Sequence, residues 1–121
     1  MVPGTTAEVN HPLQHGIDLF NRCAFFECHE ALEEIWTPER GPRRLFLQSL
    51  IHIAVAFYHV QRGNSVGAER QLRKGLKKLA GYLPQFEGVL TEEIYRAASA
   101  ALGQIERGEE MGKFPRIRLD I

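Results

Sequence analysis

The sequence predicts an all-α fold, a bundle of about five helices packed around one apolar central helix. Between the chain's breaks, apolar residues recur at the helical period of about 100° per residue. No segment alternates apolar and polar residues as a half-buried strand does. The segment from about Arg43 to Arg62 is apolar on nearly every side through its middle, as suits a helix surrounded by others.

Each element has its own justification. Pro12 fits the first turn of a helix, where a missing N–H costs nothing, and Leu13, Ile17 and Phe20 carry its apolar face to about Asn21. A short turn at 21–23 leads into Phe25–Trp36, with Phe25, Cys28, Leu32, Ile35 and Trp36 on one stripe. Two prolines and a glycine in Thr37–Pro42 break the chain before the central helix. Gly63-Asn64-Ser65 ends that helix and caps a fourth, over about 65–82, whose face is Leu72, Leu76, Leu79 and Leu83. After the break at 84–88, Thr91 is positioned to cap a fifth helix, with Glu92 and Glu93 at its positive end. Its face is Ile94, Ala97, Ala98, Ala101, Leu102 and Ile105, and residues 108–121 read as an extended tail. Residues 1–121 read as a single helical domain, with no repeat or low-complexity tract.

Composition narrows the function classes. Fifteen basic and fifteen acidic residues cancel, leaving no global field for nucleic acid or an anionic membrane. Two cysteines are too few for a secreted disulfide framework. Residues 1–10 lack the basic flank and apolar core of a signal peptide. The longest apolar run, 45–60, is interrupted by Gln48, His52 and His59 and is too short to span a bilayer. A soluble cytoplasmic protein is the expectation. Arg70, Arg73, Lys74, Lys77 and Lys78 read as the solvated back of an amphipathic helix, without the interleaved aromatics of a nucleic-acid surface. Gly67 and Gly75 within that helix suggest close packing of another helix or of a second chain, so a homodimer is a candidate assembly.

Two polar features interrupt the apolar faces. His29 lies within the stripe of the second helix beside Trp36, with Glu33 one turn on at its edge. On the central helix Gln48, His52 and His59 form a seam. A short loop makes these helices antiparallel neighbours, and the economical packing sets seam against intrusion, because buried polar atoms need partners. The candidate residues are therefore His29, Glu30, Glu33, Trp36, Gln48, His52 and His59. The favoured reading is a buried hydrogen-bond network. A pocket for a small ligand or anion comes next, then a divalent metal ion held by His29, Glu33 and His59. The metal signal is incomplete, because Glu33 stands where a zincin motif has its second histidine. General acid–base catalysis by His29 oriented by Glu33 is the enzymatic alternative, with no convincing nucleophile, since Cys28 points to the core. Whether the chain is an enzyme stays open.

The stretches Leu19-Phe20-Asn21, Phe25-Phe26-Glu27-Cys28-His29-Glu30-Ala31-Leu32-Glu33-Glu34-Ile35-Trp36, Phe46-Leu47-Gln48-Ser49-Leu50-Ile51-His52-Ile53-Ala54 and His59-Val60-Gln61-Arg62-Gly63-Asn64-Ser65-Val66-Gly67-Ala68 resemble the helical family grouped as domain of unknown function 309. The resemblance covers roughly 12–83. Its pattern is His-Glu-x-x-Glu-x-x-Trp, then Gln-Gly-Leu-Ile-Gln, then a histidine before Gly-Asn. Here Ser49 replaces the usual glycine and His52 the usual glutamine. The resemblance implies a bundle around one central helix and brings no activity with it.

Overall fold

A computed structural model describes residues 10–120. Its helices are α1 (His11–Asn21), α2 (Phe25–Trp36), α3 (Arg44–Gln61), α4 (Ser65–Leu79) and α5 (Thr91–Glu106), with a 3-10 turn at Ala80–Tyr82. Each α-helix packs on its predecessor in the chain, and α3 lies between α2 and α4. The fold is an all-α bundle, and the described residues contain isolated β-bridges but no strand.

The helix ends follow local chemistry. Pro12 lies in the first turn of α1, and the Asn10 side chain accepts from the Leu13 N–H. Asn64 caps α4 by accepting from the Gly67 N–H at 2.9 Å. Gly63 follows α3 at φ +74°, a left-handed turn that lets the Asn64 N–H reach back to the His59 carbonyl at 2.8 Å. Cys23 makes the same turn after α1 at φ +62°, with Ala24 N–H bonded to the Leu19 carbonyl. A side chain there costs roughly 1–2 kcal/mol that glycine avoids.

Thr91 corrects the expected cap. It is fully buried, and its hydroxyl donates to the Tyr82 carbonyl at 2.6 Å instead of capping α5, so it ties the 3-10 turn to the helix. The fourth helix also stops sooner than expected, tightening to the 3-10 turn after Leu79.

Phe46, Leu47, Leu50, Ile53, Ala54, Ala56 and Phe57 of α3 are fully buried and Ile51 nearly so, whereas Tyr58 is only half-buried. At one end of the core, Phe20, Phe25, Phe57 and Phe114 stack edge to face or tilted at 5.1–6.0 Å. Phe114 belongs to the non-helical segment after Glu106, which folds back onto the bundle. The Asn21 side chain donates to the Ile117 carbonyl and accepts from its N–H, at 2.9 and 2.7 Å.

Gly75 has an intramolecular reason. A Cβ there would lie 2.8 Å from Ile53 Cγ1, 3.0 Å from the Ser49 carbonyl and 3.2 Å from His52 Cβ, so α3 and α4 approach closely only because it is absent. At Gly67 a Cβ would meet the Asn64 amide and His59.

Candidate functional site

The apolar stripe of α2 faces inward, with Phe25, Cys28 and Leu32 buried and Ile35 and Trp36 half-buried. Glu27, Glu30, Glu33 and Glu34 are exposed. His29 sits on the shoulder between these faces. Its Nδ1 lies 3.2 Å from the Phe26 carbonyl, which can only accept, so Nδ1 carries the proton. Nε2 then faces Glu33 at 3.4 Å, and the contact becomes a salt bridge when the ring is charged. The side chains are 22% and 48% exposed, so this pair contributes about 0–1 kcal/mol.

The polar seam of α3 is not turned toward this pair. His52 Nδ1 donates to Gln71 Oε1 on α4 at 2.7 Å. Burial lowers its pKa from the ordinary value, the Gln71 bond opposes the shift, and the charges of Lys78 and Lys74 add to it. Its Nε2 is buried without a partner among the described residues. His59 pairs with the Asn64 amide at 3.3 Å, in the turn before α4. Gln48 is half-buried and makes no side-chain hydrogen bond among the described residues. The expected network between α2 and α3 is therefore corrected. Glu33 is exposed, and α4 and its cap supply the amide partners of His52 and His59.

What α2 and α3 do share is a shallow aromatic groove of about 160 Å³, lined by Phe25, Phe26, His29, Val55, Tyr58 and His59. Phe26 is 43% exposed, with its ring centroid 5.4 Å from both His29 and Tyr58. The Arg62 guanidinium lies over the Tyr58 ring at 5.7 Å. Of the sequence candidates, the groove unites His29 and His59, but Glu30, Gln48 and His52 are not in its lining. Phe26 and Tyr58 were missed. The available signal was Phe26 itself, a large apolar residue off the buried stripe of its helix.

Trp36 is at the opposite end of α2. Arg44 stacks on its ring at 4.0 Å and donates to the Trp36 and Glu39 carbonyls, each at 2.8 Å. The expected metal trio is not assembled either. Among the described residues no three His, Cys, Asp or Glu side chains converge as a metal ion requires, and His59 Nδ1 pairs with the Asn64 amide. Burial pushes the Cys28 thiol up to about 12, far from a reactive thiolate. Arg73 of the basic face pairs with Glu69 and Glu106. No helix of the described residues is long and apolar enough to cross a membrane.

Against known proteins, a 56-residue stretch is 39% identical to Uncharacterized protein YpuF of Bacillus subtilis (strain 168), covering 46% of this chain and 32% of that protein. The matched part thus spans about a third of the relative's length. Residues 13–71, which hold α1 from Leu13, α2, α3 and the first half of α4, match the model of the family described as Domain of unknown function (DUF309).

Proposed function

We propose that the chain is a non-catalytic interaction module whose α2–α3 groove takes up one apolar side chain of a partner protein. The observation that carries this reading is size. About 160 Å³ is room for a single side chain, whereas small-molecule sites usually enclose about 300–1,000 Å³. The half-exposed Phe26 and Tyr58 rings offer the apolar contact, and Arg62 over Tyr58 holds one wall in place. A catalytic reading has less support, because Cys28 is buried as a thiol and the free nitrogen of His29 already faces a carboxylate. Nucleic acid is not part of the proposal, since Arg73 is taken up by Glu69 and Glu106. The homodimer drawn from the sequence falls within it, with a second copy supplying the side chain.

We infer a single helical domain over 1–121, supported by Ile94, Ala98, Ala101 and Ile117 joining the same core cluster as α1–α4. The two unpaired cysteines, Cys23 and Cys28, accord with a reducing cytoplasm.

Titrating the labelled full chain with N-acetyl-phenylalaninamide and N-acetyl-leucinamide tests the groove. Amide shifts should cluster at Phe26, His29, Val55, Tyr58 and His59, be absent with N-acetyl-glycinamide, and vanish in Phe26→Ser. No shifts, or shifts centred elsewhere, would refute the proposal.

A further inference from the structure

Charge around the groove is segregated. α2 contains Glu27, Glu30, Glu33 and Glu34, all exposed, and no lysine or arginine. Across α3, the α4 flank presents Arg70, Lys74 and Lys77, exposed, and Lys78, half-buried. Lys74 and Lys78 lie near enough to His52 to disfavour its protonation. Glu30, Lys74 and Lys78 form no salt bridge among the described residues. Between these flanks runs a floor of half-buried Gln48, Val55 and His59 on α3. Helix axes pack about 8–10 Å apart, so acid and base flanks are separated by roughly twice that and do not neutralise each other within one chain.

Both flanking helices run antiparallel to α3. Phe26 meets Tyr58 and Trp36 meets Arg44 along α2, while Gly67 lies against His59 and Gly75 against Ile53 along α4. Glu33 and Lys74 consequently flank the middle of α3 from opposite sides.

We propose that a second copy of the chain docks on this face across a two-fold axis lying in the interface along α3, acid flank on base flank. Rotation by a half-turn exchanges the flanks, setting Glu30 and Glu33 of each copy beside Lys74 and Lys78 of the other. It leaves the direction along α3 unchanged, so the central helices of the two copies run parallel. Such an isologous contact closes on itself. With α3 at 18 residues the face is roughly 27 Å long and, three helices wide, roughly 25 Å across. That footprint of about 700 Å² per copy is close to the roughly 800 Å² per partner of a standard interface. A formal net charge of zero leaves no long-range repulsion between copies. The proposal rests on the groove reading, in that it names a second copy as the partner that covers this face.

Sedimentation equilibrium of the full chain over a concentration series tests it, with two charge-reversed variants, Glu30→Lys/Glu33→Lys and Lys74→Glu/Lys78→Glu. The parent chain should dimerise, less tightly as salt rises. Each variant alone should weaken dimerisation by more than about tenfold, since like flanks then face each other. Mixed in equal amounts, they should recover a mixed dimer, because every reversed flank again meets its opposite. Circular dichroism checks that these surface substitutions leave the helices intact. A monomeric parent, variants that dimerise as the parent does, or a mixture that stays monomeric would each overturn the proposal. The amide titration is independent, so a groove that binds N-acetyl-phenylalaninamide in a monomeric chain retains the interaction module and discards only the second copy.

Discussion

The two long sides of α3 are built in opposite ways. Toward α4, Gly75 lets the helices close until a Cβ would strike the Ser49 carbonyl, and Leu72, Leu76 and Leu79 complete a buried contact. The polar group on that side, His52, is bonded across the interface to Gln71. Toward α2, the rings of Phe25, Phe26 and Tyr58 line an aromatic groove open to solvent at one end. There His29 bonds only within its own helix. One central helix thus supports a tight side that contributes stability and a looser side with room for a ligand, and a glycine or a ring at the contact decides which.

The contrast can be broken most severely at the centre. Ile51→Asp places an unpaired charge at a position 8% exposed and should cost several kcal/mol, about 3 or more. A thermal melt matching the parent would overturn the assignment of α3 as core.

Next in size is the tight side alone. Gly75→Ala gains helix propensity of about 1 kcal/mol but drives its Cβ into backbone and Ile53, and should be net destabilising by about 1–3 kcal/mol. Gly16→Ala is the matched control. Its Cβ meets the Leu32 side chain, 2.7 Å from Cδ2 and 3.0 Å from Cγ, with no backbone atom among its near contacts. Denaturant titration should rank Gly75→Ala well below Gly16→Ala, and equal losses would erase the distinction.

The His52 contact is sharpened by pH. Its folded pKa lies below the ordinary 6.5, chiefly through burial. As pH falls through about 6.5, the unfolded chain takes up the proton first, so stability is full above that value and declines below it until the folded ring also titrates. His52→Gln, which keeps an amide partner for Gln71, should flatten this part of the stability–pH curve. An unchanged slope in chemical denaturation at stepped pH would contradict it.

The smallest effect belongs to the open side. His29→Ala removes one bond to its own helix and a solvent-screened pair, and should change stability by less than about 0.5–1 kcal/mol. A loss of about 2 kcal/mol or more in a melt would restore the buried network expected from the sequence.

Much of the framework was legible because its causes are local. Pro12 in the first turn of α1, Asn64 capping α4 and Gly63 beyond α3 each act on residues within a few positions. The candidate site was less legible because its partners are remote. Gln71 is 19 residues from His52, and nothing in the period of α3 says whether the seam turns to α2 or α4. Thr91 has the right chemistry for a cap, yet a carbonyl nine residues back claims its hydroxyl.

By itself the sequence determined the helical class, the number of helices and the apolar centre of α3, since periodicity and breaker residues act along the chain. Only the tertiary structure decided that Glu33 is exposed, that His29 and His59 share an aromatic groove without bonding each other, and that Gly75 serves α3 rather than another chain. The physical reason is that periodicity gives a side chain's direction from its own helix, whereas burial and pairing depend on what the neighbouring helices place in front of it.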